Sequence, residues 1–221
     1  MLARNPVLLR SELLAGLDRE TVERLSAQAE ARTFSPHERI VEEGQKAGFI
    51  FCVASGLVRL TKKESAGREA DVCICEPGDI FGEYLVAGGA TYAHGAWAAE
   101  FTEIVMFDLK QLRLLAEQHH GIQRNIMHIM ARHLLGALDC IAGDRLHTAA
   151  QRVANYLVTR CPPSVSRVTL RLPYQKRILA GKLGLAPEAL SRAFAALAPL
   201  GVAVKGKNIS VESVNLLKEA C

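Results

Sequence analysis

The spacing of hydrophobic and polar positions changes several times along the chain. Residues 18–29 carry an apolar stripe at helical spacing, and Asp18 stands where an N-cap belongs, so a short helix is predicted there. From Thr33 to Phe107 the pattern shortens to strands and turns, and from Lys110 to about Asp144 it becomes helical again. Beyond Asp144 short helices mix with short strands, which indicates an α+β chain with a β-rich front part.

The β-rich part predicts a barrel. Residues 49–54 read FIFCVA, an unbroken apolar run typical of a strand buried on both faces. Ser55-Gly56 and Pro77-Gly78-Asp79 are predicted turns, with further strands over 57–60 and 69–75. Short strands at regular spacing, separated by glycine-containing turns, favour a β-barrel or jelly roll.

The helical segment after the barrel is unusually apolar for a solvent-facing helix, and we expect about 20 residues or more in it. Its apolar residues recur every three to five positions: Ile122, Ile126, Ile129, Leu134, Leu138 and Ile141. A second copy of the helix would cover this stripe, so the pattern predicts a coiled-coil-like homodimer seam. Packing of the stripe against the chain's own barrel is the alternative.

Residues 176–199 predict two short helices joined by a tight turn. Leu179 and Leu183 match an apolar stripe in the second helix, and Gly184 supplies the permissive backbone of the turn. The exposed face of the second helix carries Glu188, Ser191 and Arg192, at i, i+3 and i+4. Such a helix-turn-helix can place its second helix in a DNA major groove. An ordinary corner between two helices is the alternative.

A hairpin follows the second helix over residues 202–211 and turns at residues 205–208. Lys205 and Lys207 lie at its tip, where they suit phosphate contacts beside a helix-turn-helix. Lys176, at the start of the first helix, joins them as a candidate DNA contact.

Charge is divided unevenly. Residues 148–221 hold 11 basic and 3 acidic residues, a net +8, whereas residues 1–147 hold 16 and 20, a net −4, which together give the chain's +4. A basic surface gains affinity for DNA through counterion release. The asymmetry therefore assigns nucleic-acid binding to the C-terminal part and leaves an acidic sensing or dimerising part.

At 221 residues and 49% hydrophobic content, the chain has enough core for about two domains. Arg4, Arg10 and Glu12 interrupt the apolar N-terminus, so no signal peptide is predicted, and no apolar run is long enough for a membrane span. The six cysteines have no framework spacing and are expected to be mostly buried, reduced thiols of a cytoplasmic protein.

Two other classes of function fit the sequence less well. A cupin-like metalloenzyme needs closely spaced histidines with a carboxylate, but the barrel segment has no His-x-His, and no Ser-His-Asp arrangement, Walker loop or zinc spacing occurs. An adaptor that regulates a protein partner without DNA is disfavoured by the basic C-terminal part and by the Glu188, Ser191, Arg192 face.

The order of parts resembles the CRP/FNR family of bacterial transcription regulators over roughly residues 13–219. The most specific pieces are GLAPEALSRAFAAL, the wing VKGKNISVE and the barrel motif GDIFGE at 78–83. The resemblance implies a cyclic-nucleotide-binding-type β-barrel (a double-stranded β-helix), a long dimerisation helix and a C-terminal winged helix-turn-helix. We place these at residues 1–109, 110–147 and 148–221.

Within that family the recognition helix is most similar to the FNR branch, which has Glu followed by Ser-Arg three and four positions on. The resemblance implies a palindromic operator with TTGA-like half-sites. The chemistry agrees, because Arg192 can bond guanine O6 and N7 and Glu188 can accept from cytosine N4, while Ser191 can touch a thymine or a phosphate. Pro187 stands where the CRP branch has a base-contacting arginine, which argues against CRP-type half-sites.

The effector is less well defined by the sequence. Gly82 and Glu83 match the first pair of the family's cyclic-AMP motif. The second pair of that motif is Arg-Ser or Arg-Thr about ten residues later, but residues 91–95 read TYAHG and contain no arginine. A buried phosphate needs a positive charge, so cyclic AMP is not expected. Tyr92 and His94 complete the candidate effector region. Glu83 capping a turn is the structural alternative.

Two kinds of metal cofactor occur in the family that the chain resembles. The chain has no cysteine before Cys52, so the iron–sulfur cluster of oxygen-sensing members is not expected, and Cys73 with Cys75 supplies only two thiols. The segment at 92–107 resembles the Dnr and NnrR regulators, which respond to nitric oxide through haem. His94, His128 and His133 are the histidines near the predicted pocket, and none is assigned as a ligand. RNA polymerase, recruited or blocked, would be the further partner.

Overall fold

A computed structural model describes residues 6–64, 67, 69–162, 165–172 and 175–221. The chain divides into two compact units between Leu135 and Gly136. Within the described ranges, no helix is long and apolar enough to cross a membrane.

The first unit begins with two short helices and then forms strands. Its elements are α1 (Pro6–Leu9), α2 (Arg19–Ala27), β1 (Ala29–Phe34), β2 (Arg39–Val41), β3 (Phe49–Ser55), β4 (Val58–Lys63), β5 (Glu69–Cys75), β6 (Ile80–Phe81), α3 (Tyr84–Ala87), β7 (Gly95–Ala98), β8 (Thr102–Asp108) and α4 (Leu109–Gln118). Asp18 accepts a 2.9 Å hydrogen bond from the Thr21 amide, so the predicted cap of α2 is confirmed.

The strands form two antiparallel four-stranded sheets, in the orders β1-β8-β3-β6 and β2-β7-β4-β5. Five consecutive residues of β3, from 50 to 54, are buried, which confirms the strand with two covered faces. At Gly56 the backbone has φ +78°, and a Cβ would lie 2.4 Å from the Phe101 carbonyl oxygen, so only glycine fits this turn. The β-rich domain and the mixed α+β class are thereby confirmed.

The helical segment after the barrel is two helices rather than one. Asp108 caps α4 by accepting from the Gln111 amide at 2.8 Å, and His119 is extended with φ −127°. A second helix, α5, then runs over His120–Leu146, 27 residues. The expected long helix is therefore present, but it starts ten residues later than the periodicity suggested.

The apolar stripe of α5 is divided between two environments. Ile122, Ile126 and Ile129 are 0–4% exposed and belong to the core of the first unit. Leu134, Leu138 and Ile141 are 50–62% exposed. The alternative to a dimer seam, packing on the chain's own barrel, is therefore correct for the first half of the stripe, because those side chains are already covered within one protomer.

The second unit contains the end of α5 and a three-stranded sheet in the order β10-β11-β9. Its further elements are α6 (Ala149–Val158), β9 (Val168–Arg171), α7 (Lys176–Lys182), α8 (Pro187–Leu197), β10 (Val202–Lys205), β11 (Asn208–Val211) and α9 (Val214–Glu219). Thr148 and Gln151 form a reciprocal capping box that starts α6. The predicted helix-turn-helix and hairpin are both present.

Candidate DNA-contacting face and effector region

The turn between α7 and α8 is built by Gly184. Its φ is +62°, the left-handed region, and the flanking amides close a Schellman motif: Leu185 donates to the Ala180 carbonyl at 2.9 Å and Gly184 donates to Gly181 at 3.1 Å. Pro187 opens α8 at the first helical position, where its missing N–H costs nothing. Local sequence therefore fixes where α7 ends and α8 begins.

The two faces of α8 differ sharply. Leu190, Ala193, Phe194 and Leu197 are buried, and they hold the helix against its own unit. Glu188, Ser191 and Arg192 are all exposed on the other side, as the helical spacing requires. The Ser191 hydroxyl donates to the Pro187 carbonyl at 3.1 Å, so its oxygen lone pairs remain to accept a hydrogen bond.

The hairpin next to α8 presents its basic residues to solvent. Lys205 pairs with Asn208 across the turn, and both Lys205 and Lys207 are exposed, as is Lys176. Arg171 pairs with Asn208 from β9 and is exposed at the same end of the sheet. Sequence analysis did not single out Arg171, because its position beside the hairpin tip depends on the β9–β11 register.

Glu83 is tied to the long helix. Its Oε1 lies 2.8 Å from His133 Nδ1, and the carboxylate side chain is only 8% exposed. Glu83 precedes α3 but makes no side-chain capping bond to it, so the capping alternative is wrong. His133 Nε2 lies 3.3 Å from Arg132 Nη2, which suits a ring with its proton on Nδ1. The hydrogen bond with Glu83 raises the pKa of His133 above its usual range.

Arg132 extends this group. It pairs with Glu12 at 3.0 Å and lies 3.6 Å from Asp79, at the turn before β6. Two adjacent residues of α5 therefore contact both acidic residues of the GDIFGE motif, Asp79 and Glu83. Sequence reasoning identified Glu83 but did not pair it with His133, because the two are 50 positions apart.

Tyr92 lies in the core. It is 4% exposed, its hydroxyl donates to the Phe49 carbonyl at 3.0 Å, and the Phe49 amide donates back at 3.2 Å. Its ring centroid is 5.8 Å from that of Phe51. These contacts satisfy both ends of Tyr92, which holds the segment before β7 against β3.

His94 is half-buried and has charged groups near it. Burial lowers the pKa of His94, and the nearby positive charge of Lys62 lowers it further. Lys62 Nζ donates to the Ala93 carbonyl at 2.9 Å and pairs with Glu43 at 2.6 Å. A cation therefore does stand at the 91–95 segment. Sequence analysis missed it because it comes from β4 rather than from the segment itself.

A groove of about 730 Å³ lies beside the second sheet, bordered by Arg39, Thr61, Glu69 and Trp97 among others. Arg39 stacks over the Trp97 ring at 4.7 Å, and Trp97 Nε1 donates to Glu69 at 3.0 Å. None of Gly82, Glu83, Tyr92 and His94 lines this groove.

Two of the three candidate histidines lie among charged groups, which does not suit a haem ligand. A haem ligand needs an imidazole, thiol or similar group facing an apolar pocket. His133 is engaged by Glu83 and Arg132, and His94 lies near Lys62, Glu43 and Glu83. Among the described residues, no group of three or more His, Cys, Asp or Glu side chains could hold a metal ion.

The cysteines differ from expectation. Cys52 and Cys75 are buried, but Cys73, Cys140 and Cys221 are exposed, so the expectation of mostly buried thiols is wrong for these three. Burial raises the pKa of Cys52 to about 12. A hydrogen bond with Cys73, together with burial, raises the pKa of Cys75 well above its usual range, so neither buried thiol is a ready nucleophile.

Comparison with known proteins agrees with this architecture. The cyclic nucleotide-binding domain family matches residues 31–119, and the Crp-like helix-turn-helix domain family matches residues 151–220. The Cyclic AMP receptor protein of Thermus thermophilus is 28% identical over 95% of this chain and 96% of its own. A protein of Ruegeria pomeroyi whose crystal structure is described as that of a cyclic nucleotide binding protein is 30% identical in sequence. The two structures match with a TM-score of 0.66 over 98% of this chain and 96% of that one. FixK2 from Bradyrhizobium japonicum is 26% identical, with TM-score 0.73 over 87% and 96%.

A cyclic nucleotide-binding-type domain followed by a Crp-like helix-turn-helix defines a class of transcription regulator. The chain belongs to the CRP/FNR family and carries that family's helix-turn-helix DNA-binding domain. Its relatives include transcription regulators.

Proposed function

We propose that this regulator binds, as a homodimer, a palindromic operator with TTGA-like half-sites. The observation that carries the proposal is the exposed face of α8, where Glu188, Ser191 and Arg192 stand free of the helix's packed side. Each recognition helix would enter one major groove, and the two half-sites would lie about one helical turn apart. Arg192 would read guanine and Glu188 cytosine. Lys176, Lys205 and Lys207 would bind phosphates.

Selection from a pool of random duplexes tests this proposal. We expect a palindrome whose half-sites contain TTGA. Enrichment of an unrelated motif would contradict the assignment of the α8 face. Binding to a protein partner without DNA, the adaptor alternative, would give no enriched duplex and no steep loss of binding as salt rises.

The exposed half of the α5 stripe supports the dimer. Leu134, Leu138 and Ile141 are spaced along one side of the helix, and Met127 and Leu135 are also 62–63% exposed. So many exposed large apolar side chains on one helix are unusual for a surface that faces only water. A second α5 packed along this stripe would cover them.

The effector would act near Glu83. A small polar molecule that takes over the carboxylate of Glu83 would release His133, and with it one tie between the barrel and α5. That exchange would favour one of two pre-existing arrangements of the dimer, which is how a ligand changes affinity at a distance. Bound near a promoter, the dimer would recruit or block RNA polymerase.

The polar surroundings of His133 and His94 favour such an effector over a gas sensed through haem. The visible absorption spectrum of protein purified with haem supplied, before and after nitric oxide, separates the two. We expect no stoichiometric Soret band. A Soret band that shifts with the gas, together with tighter operator binding, would instead establish the Dnr- and NnrR-like mode.

A further inference from the structure

Arg152 joins three elements of the second unit. It lies early in α6, and its Nη1 pairs with the carboxylate of Asp144, which belongs to the last turn of α5. The same Nη1 donates to the Leu183 carbonyl at 3.0 Å. The Arg152 side chain is only 19% exposed, so it is committed to these contacts rather than to solvent.

The Leu183 carbonyl is an important acceptor because of its place in the fold. Leu183 is the C-cap of α7 and stands immediately before Gly184, in the turn of the helix-turn-helix. The last carbonyls of a helix have no partner within it, and a cation there also interacts favourably with the helix dipole. Arg152 therefore closes the end of α7 from outside.

Asp144 lies beside the same turn. A Cβ built on Gly184 would lie 3.3 Å from the Asp144 carboxylate and 3.5 Å from Arg152 Nη1. Arg152 thus binds the turn that sets the direction of α8, and Asp144 lies beside it. Asp144 shares α5 with Leu134, Leu138 and Ile141, so one helix carries the exposed apolar stripe and the contact to the turn.

We propose that Arg152 is a positioning residue for operator binding, which holds the helix-turn-helix in a fixed direction relative to the end of α5. This role rests on the proposed dimer and palindrome. In a dimer, the ends of the two α5 helices would then set the separation and orientation of the two recognition helices. Arg152 itself need not touch DNA.

The physical consequence concerns two-site binding. One helix-turn-helix domain would bind a half-site through the α8 face and the wing. Neither of these surfaces includes Arg152. Simultaneous binding of two half-sites gains its advantage from an effective concentration that depends on geometry. Loss of the Arg152 contact between α5 and the helix-turn-helix would lower that effective concentration. It would also allow the two DNA-binding domains to reach half-sites at a changed separation.

Three variants of the full chain test the role. Arg152→Gln and Asp144→Asn each remove the ion pair, and Arg160→Gln is the matched control. Arg160 belongs to the same unit, but its guanidinium stacks on Tyr156 at 3.8 Å instead of bridging helices. Affinity is measured for the palindrome, for a single half-site, and for a palindrome lengthened by one base pair at its centre. Thermal unfolding confirms that each variant is folded.

We expect both ion-pair variants to lose about tenfold in affinity for the palindrome and less than about twofold for the half-site. The penalty for the inserted base pair should shrink, whereas Arg160→Gln should retain it. Arg152→Lys, which can still reach Asp144, should recover part of the palindrome affinity. Equal losses on half-site and palindrome, or no loss at all, would overturn the role. If the parent chain itself fails to prefer the palindrome, the proposed operator is wrong and this role falls with it.

Discussion

His133 Nδ1 lies 2.8 Å from Glu83 Oε1, so the long helix and the barrel motif share a hydrogen bond within the first unit. Glu83 raises the pKa of His133. A histidine with a raised folded-state pKa stabilises the protein below its unfolded pKa of about 6.5. That contribution is lost as pH rises through the raised value.

His133→Asn should therefore lower the melting temperature most at mildly acid pH, where His133 is protonated. The difference from the parent chain should narrow as pH rises above the His133 pKa. Thermal unfolding between about pH 5 and 8 measures it. His128→Asn is the control, because His128 is exposed on the same helix. A loss of melting temperature in His133→Asn that did not change with pH would contradict an ionic contribution from the His133–Glu83 pair.

Arg192→Ala should weaken binding to the operator by about 1–3 kcal/mol and relax base preference at one position of each half-site. The reason is that a bidentate contact to guanine O6 and N7 cannot be replaced by solvent. Quantitative binding to operators with every base at each position measures both effects. An unchanged base preference would remove Arg192 from the base-reading face.

Lys207→Ala should behave differently, because a phosphate contact carries no sequence information. Affinity should fall by a similar factor for every sequence, and the slope of log affinity against log salt should decrease by about 1. Lys218→Ala on α9 is the control, with the same loss of charge away from the hairpin. A sequence-selective loss in Lys207→Ala would place that side chain on a base edge instead.

Leu138→Glu should break the dimer, since a charge would enter the seam between two α5 helices. Sedimentation should then show a 24.1 kDa monomer where the parent chain sediments at twice that mass. Leu114→Glu is the matched control, because Leu114 is a 44% exposed leucine on α4. A dimer that survives Leu138→Glu but not a change elsewhere would move the interface away from this stripe.

The periodicity of the sequence predicted the order of the main parts, although it merged α4 and α5 into one helix, and it did not predict contacts between distant positions. Pro187 and Gly184 made the helix-turn-helix predictable, because the backbone conformations that proline and glycine allow are determined locally. The division of the α5 stripe was not predictable, because a covered isoleucine and an exposed leucine have the same period. The Glu83–His133 and Lys62–Ala93 contacts depend on sheet register and helix placement, which residue spacing does not encode.

Cyclic AMP should not bind the parent chain with micromolar affinity. The cyclic phosphate needs a cation that is available to it. Lys62, the cation that the structure brings to the 91–95 segment, is paired with Glu43 at 2.6 Å, and Glu83 is held by His133. Ligand binding would have to break both pairs before making its own contacts.

Isothermal titration calorimetry of the full chain with cyclic AMP measures this affinity directly. The variant Glu43→Gln tests whether the Lys62–Glu43 pair opposes binding. Removing the Glu43 charge takes away the carboxylate that pairs with Lys62, so any residual affinity for a cyclic phosphate should rise in that variant. Glu42→Gln is the control, since Glu42 pairs with Arg39 instead. If the parent chain bound cyclic AMP saturably and Glu43→Gln left the affinity unchanged, pairing with Glu43 would not be what limits binding of the cyclic phosphate.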